Sequence, residues 1–133
     1  MSNAVEQLEE VRSIYNSDKF SQKTASIILD EINLFEKQWE LIRKNRNKLF
    51  RELKNIRGVT PYSSKANFIL FNTDSEEKII YEKLKKRGIE IRFLENLRIL
   101  GDSLRVTVGT EEENNKFLLN LKDILFSRKE VAK

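Results

Sequence analysis

The sequence predicts an α+β fold: a two-layer sandwich whose small, mostly antiparallel sheet carries helices on one face, with a long N-terminal helix before it. Three observations predict it. Gly88-Ile-Glu-Ile-Arg-Phe93 and Leu104-Arg-Val-Thr-Val108 alternate apolar and polar residues, the mark of strands with one buried face. Apolar residues from Ile28 to Ile56 recur in alternating steps of four and three, which makes a single helical stripe. Taken along the chain, the elements run long helix, strand, helix, strand, strand, helix, and three strands with helices on one side bury their apolar faces in two layers.

Each element has a local reason. Residues 5–12 read as a short helix, and Asn16-Ser17-Asp18 breaks it. Ser17 or Asp18 caps the next helix, because short polar side chains bond the free amides of a helix start. The long helical stretch covers about 21–56, as one helix or two with a bend near Asn33. Its stripe is Ile28, Ile32, Phe35, Trp39, Ile42, Leu49, Leu53 and Ile56, with Arg46 at the one place that should be apolar. That arginine and the short stripe argue against a coiled coil. Gly58 ends the helix, and Pro61-Tyr-Ser-Ser-Lys65 is a polar connection.

Asn67-Phe-Ile-Leu-Phe-Asn72 is an apolar run that reads as a strand buried on both faces. Thr73 and Glu76 form a capping box for a helix with Ile79, Ile80 and Leu84 on its inner side. Gly88 stops that helix. The two alternating strands come next, joined by a connection over about 94–103 that is long for a hairpin. Thr110 and Glu113 form a second capping box. The last helix turns Phe117, Leu118, Leu121, Ile124 and Leu125 inward, and its three early glutamates suit the positive helix end.

Composition removes several functions. With no histidine, the chain offers no catalytic triad, no imidazole acid–base pair and no histidine zinc site; with no cysteine, it offers no disulfide and no thiolate. That usage fits a reducing cytoplasm. No apolar run is long enough to cross a bilayer, and no signal peptide is visible, so no membrane partner is expected. The net charge of +4 comes from 25 basic and 21 acidic residues mixed along the chain. The basic runs 43–48 and 83–87 lie on helices without interleaved aromatics, so no nucleic-acid partner is expected. Every glycine falls at a break, which leaves no glycine-rich phosphate loop.

Strand parity singles out two residues. If both alternating strands share a sheet covered on its apolar face, Arg92 and Arg105 stand together on the uncovered one. Two guanidinium forks on a rigid surface suit carboxylate or phosphate groups. On the pattern alone a second reading stands beside this one, in which each arginine merely solvates the polar side of an amphipathic strand.

A set of segments carries a resemblance. They are Val11-Arg-Ser-Ile-Tyr-Asn16, Phe20-Ser-Gln22 with Thr24-Ala25, Arg46 with Leu49 and Leu53, Ser64-Lys-Ala-Asn-Phe-Ile69, Gly88-Ile-Glu-Ile-Arg92, and Leu104-Arg-Val-Thr-Val-Gly-Thr110 with Glu113-Asn114. Together they resemble the C-terminal part of histidinol-phosphate aminotransferases, within the class I/II, fold-type I, pyridoxal-phosphate enzymes. Where that family usually has Pro-Tyr-Asn, this chain has Ile14-Tyr15-Asn16.

The resemblance implies an aminotransferase small domain over 58–133, a long interdomain helix region over 21–57, and a remnant of the large-domain or interdomain segment over 1–20. It implies that Arg105 receives a substrate carboxylate and Arg92 the phosphate of a phosphorylated, amino-acid-like substrate, with a 2-oxo acid as the other partner. Tyr15, Asn16 and Asn67 are expected to be structural, and Lys65 a solvated lysine at the strand entry. The family's cofactor lysine precedes the matched region, so the chain is expected to be a fragment that is inactive alone and holds no cofactor. Its full-length parent would use pyridoxal phosphate and would be a cytoplasmic homodimer. Other class I/II aminotransferases, related decarboxylases and a non-enzymatic α+β interaction module are the alternatives.

Overall fold

A computed structural model describes residues 18–127 of the chain. The helix expected over 5–12, together with Tyr15 and Asn16, lies outside the described residues. The chain divides into two compact units, Met1–Gln38 and Trp39–Lys133.

In the first unit, α1 spans Lys19–Asp30. Asp18 caps it in extended conformation, its carboxylate accepting from the Ser21 backbone N–H at 2.9 Å. The Ser21 hydroxyl donates to the same carboxylate. The bend expected near Asn33 falls at Glu31, whose N–H closes the helix on the Ile27 carbonyl. Helix α2 then runs Ile32–Lys54 and passes into the second unit.

The second unit holds the core. Leu49 and Leu53 of α2 are buried, followed by Ile56 and Val59. Strands β1 (Val59–Pro61), β2 (Phe68–Thr73), β3 (Arg92–Leu97) and β4 (Gly101–Thr107) form one sheet in the order β1-β2-β4-β3, each neighbouring pair antiparallel. Helices α3 (Glu77–Lys86) and α4 (Glu111–Ser127) supply the opposing apolar side chains. Ile80 and Leu84 of α3, and Phe117, Leu121 and Ile124 of α4, join Ile69, Phe71, Leu104 and Val106 of the sheet in one buried cluster. Phe71 meets Phe117 edge-to-face with ring centres 6.0 Å apart, a favourable aromatic geometry.

The sheet differs from the expected one in four ways. It has four strands, because β1 forms just ahead of the segment that reads as a polar connection and shares Pro61 with it. Three residues are too few for alternation to show, and Pro61 argues against a strand. The Tyr62 N–H donates to the Leu70 carbonyl. Residue directions alternate along a strand, so the nitrogen of Pro61 points away from β2, where no donor is needed.

The second difference lies in β3, which starts at Arg92 rather than Gly88 and continues to Leu97. The expected long connection over 94–103 is therefore mostly hairpin. A register shift between Leu94 and Leu97 breaks the alternation there, with Asn96 at φ 51° and Gly101 at φ 66° absorbing the bend. Third, β2 is buried on one face only: Ile69 and Phe71 are enclosed while Phe68 and Leu70 are half-buried. Fourth, the carboxylate that closes back on Thr73 is that of Glu77, not Glu76. It accepts the Thr73 backbone N–H at 3.0 Å, and Glu76, the N-cap, makes no side-chain cap bond.

The second capping box forms as expected. Glu113 accepts from both the N–H and the hydroxyl of Thr110, and its own N–H donates back to the Thr110 hydroxyl. These donors hold the Glu113 carboxyl below its usual range. The side chain of Lys48 does the same for Glu111, bonding it directly. Asn114, the buried polar residue of α4, accepts the Gly109 N–H and donates to the Gly109 carbonyl, each at 3.0 Å. Asn45 of α2 donates to that same carbonyl. The misfit arginine of the stripe, Arg46, donates to the carbonyls of Lys65 and Ala66, so α2 grips the entry to β2.

Candidate anion-binding face

Strands β3 and β4 position the two singled-out arginines. Arg92 and Arg105 are direct cross-strand partners. Directly opposed residues share a face, and that face is the one away from the buried Leu104 and Val106. The parity expected from the sequence matches the observed register, although β3 is displaced along the chain.

Hydrogen-bond phase refines the pair. The Val108 N–H donates to the Asn67 carbonyl at 2.8 Å. Val106 and Val108 therefore bond toward β2, and Arg105 and Thr107 present their backbone groups toward β3. Arg92 and Arg105 then form a pair of the hydrogen-bonded type, with α-carbons about 5.5 Å apart.

The two side chains sit in different surroundings. Arg92 is exposed and Arg105 half-buried. The Arg105 guanidinium lies over the Phe68 ring, 5.0 Å from its centre, a cation–π placement that orients the fork. Its Nε is buried without a hydrogen-bond partner. Among the described residues neither guanidinium is in an ion pair. Two cationic side chains thus leave directly opposed backbone positions on one face, and among the described residues no ion pair neutralises either, an arrangement that an anion relieves.

The neighbouring positions of β2 and β4 on this face, Phe68, Leu70, Asn72, Ser103 and Thr107, are uncharged. Asn72 donates to the carbonyls of Leu100 and Asp102 and accepts from the fully buried Ser103 hydroxyl, which fixes the base of the β3–β4 hairpin. Sequence reasoning misses Phe68 as the platform for Arg105, because an apolar run does not tell which of its residues lies beside which neighbour. It also misses the Asn72–Ser103 pair, which needs the register. Lys65 is exposed, and Asn67 contributes its backbone carbonyl to the ladder. Among the described residues no cluster of acidic side chains is placed to hold a metal ion. None of the described helices is long and apolar enough to cross a membrane.

The profile of the family "Aminotransferase class I and II" matches residues 1–121. The chain belongs to this family. Its similarity to curated aminotransferases extends across most of its length. It is 40% identical over 120 residues to histidinol-phosphate aminotransferase 2 of Nitrosococcus oceani, covering 89% of this chain and 33% of that protein. It is 38% identical over 125 residues to the histidinol-phosphate aminotransferase of Aquifex aeolicus, covering 92% and 35%. The chain spans about a third of the length of the curated relatives it matches.

Among solved structures, the histidinol-phosphate aminotransferase of Clostridium acetobutylicum superposes with a TM-score of 0.76 at 28% identity, over 90% of this chain and 36% of that one. A decarboxylase from Sulfurospirillum multivorans shares the fold, with a TM-score of 0.77 at 23% identity over 94% and 37%. The α+β architecture is thus shared with solved aminotransferase structures.

Proposed function

We propose that this chain is the small-domain portion of a histidinol-phosphate aminotransferase. In this reading Arg105 clamps the carboxylate of the amino or 2-oxo acid, and Arg92 holds the phosphate of histidinol phosphate. The observation that supports it is the cross-strand pairing of Arg92 with Arg105 on the sheet face away from the helices, with neither in an ion pair among the described residues. A bidentate fork fixes the plane of a carboxylate, and positioning of that kind supplies much of an enzyme's rate. The parent would be a cytoplasmic homodimer that exchanges an amino group between histidinol phosphate and 2-oxoglutarate.

Pyridoxal phosphate, when bound in such a parent, supplies the electron sink and is anchored through a lysine. The arginine-bearing face offers Phe68, Leu70, Asn72, Ser103, Arg92 and Arg105 and no lysine. The described residues alone do not fit that anchorage, and in this reading the chain by itself is catalytically inactive. Turnover of histidinol phosphate by the 133-residue chain supplemented with pyridoxal phosphate would overturn the inactivity.

The anion sites are tested by thermal melts in inorganic phosphate and in 2-oxoglutarate, against chloride at equal ionic strength. At ten times its dissociation constant each anion is expected to stabilise the fold by about 1.4 kcal/mol. Arg105→Gln is expected to remove the 2-oxoglutarate response and Arg92→Gln the phosphate response. Melting temperatures that track ionic strength alone would leave the arginines as solvating side chains.

A further inference from the structure

We propose that the groove between α2 and the loop 65–67 binds a nucleoside diphosphate, with its base against Trp39 and its phosphates on Arg43 and Lys65. The groove shares no lining residue with the arginine face, and the proposal does not rest on the aminotransferase reading. It measures about 610 Å³, within the range of small-ligand sites. All of its lining lies in the second unit.

Both walls are built by contacts already in the fold. Trp39, Ile42, Arg43 and Arg46 recur in steps of three and four, so they share one side of α2. Ile42 packs against the core, while Trp39, one turn earlier on the same stripe, stays 43% exposed. Arg46 holds the opposite wall, donating to the Lys65 and Ala66 carbonyls at 2.8 and 3.4 Å. The Ala66 N–H donates to the Ser64 hydroxyl at 3.1 Å, and the Asn67 carbonyl accepts the Val108 N–H at 2.8 Å. The loop is thus tied to the helix on one side and to the sheet on the other.

Charge selects the occupant. Arg43, Arg46 and Lys65 line the groove, and no carboxylate does. Among the described residues none of the three is in an ion pair. Arg46 bonds carbonyls and the Asn47 amide, which satisfy its donors and leave its charge uncancelled. Three positive charges around one hollow favour a ligand carrying about two or three negative ones, which a diphosphate supplies. The indole offers a ring on which a base can stack, and such stacking adds to affinity without needing a particular base. A simple inorganic anion would use the cations alone, and an uncharged aromatic would use Trp39 alone.

The chain has a single tryptophan, so its emission reports this groove. The probe is ADP, titrated in EDTA to keep the diphosphate free of magnesium. Saturable quenching is expected, with a dissociation constant of about 0.1 mM at low salt, suited to a small ligand in an open groove. Pyrophosphate, which lacks the base, and adenosine, which lacks the charge, are each expected to bind about tenfold more weakly by calorimetry. The double variant Arg43→Gln with Lys65→Gln leaves Arg46 on its carbonyls, and is expected to bind ADP about tenfold more weakly at an unchanged melting temperature. Absence of saturable quenching at ten times the expected constant would overturn the proposal. So would pyrophosphate or adenosine binding as tightly as ADP, or ADP binding that survives the double variant and is lost in Arg92→Gln. The comparison of the three ligands on the unsubstituted chain decides the matter if the double variant does not fold.

Discussion

Replacing Asn114 with alanine tests how α4 is joined to the sheet. The side chain is 7% exposed and closes a two-bond ring on Gly109, donor to carbonyl and N–H to acceptor, each at 3.0 Å. Alanine removes both bonds. The Gly109 carbonyl keeps a second donor in Asn45, so only the Gly109 N–H is left without a partner. At about 1 kcal/mol net for each lost bond, the expected destabilisation is about 2 kcal/mol. In a domain of this size each kcal/mol lowers the melting temperature by about 4–8 °C, so the shift should be about 8–16 °C. Urea and thermal melts followed by far-ultraviolet circular dichroism measure it. Asn114→Leu keeps the volume but strands the same N–H, and should fall with the alanine variant. A leucine variant that melted at the parent temperature would refute the hydrogen-bond explanation and leave packing as the force that holds this joint.

Three further outcomes are expected. Thr110→Ala, which opens the capping box at α4, should cost about 1 kcal/mol in a denaturant melt, and full stability in that variant would show the box to be idle. Glu113 and Glu111 titrate below their ordinary value of 4.5 in the folded chain. Their contribution is therefore complete above the unfolded value and fades as pH falls through the lower folded values; Glu113→Gln should flatten the acid limb of stability against pH, and an unchanged limb would contradict this. Gly58→Ala places a β-carbon 2.9 Å from the Asp74 carboxylate at φ 81°. It should lose more than about 1 kcal/mol, and Asp74→Ala in the same chain should restore only part of this, because the backbone strain remains.

The long elements are legible in the sequence and the short ones are not. Helix α4 shows its buried side directly, since Phe117, Leu118, Leu121 and Ile124 recur at helical spacing and are all enclosed. The capping box at Thr110 is equally plain, because it depends on neighbours three residues apart. Strand β1 is hidden because three residues carry no period and Pro61 is tolerated only when the pairing direction is known. The hairpin ends of β3 and β4 are masked by the register shift after Leu94, which moves side chains off the two-residue repeat.

At the arginine face, the shared side of Arg92 and Arg105 follows from parity, while their direct pairing needs the register. The exposure of Arg105 does not. A side chain expected in open solvent is half-buried on Phe68 with its Nε enclosed. Arg105→Ala is therefore expected to lower stability, because the stacked stem and ring lose contact. Arg46 is the converse case. It interrupts the apolar stripe, and the interruption has a use that no spacing rule reveals, namely two carbonyls of the loop ahead of β2.

The outward nitrogen of Pro61 bears on how the molecule behaves in company. A sheet margin that offers a full row of donors invites a second copy to zip on and grow into fibrils. Along β1 that row is interrupted at its last residue by a ring carrying no hydrogen, and the strand is only three residues long. Growth through this margin is blocked by covalent structure, independent of salt or pH.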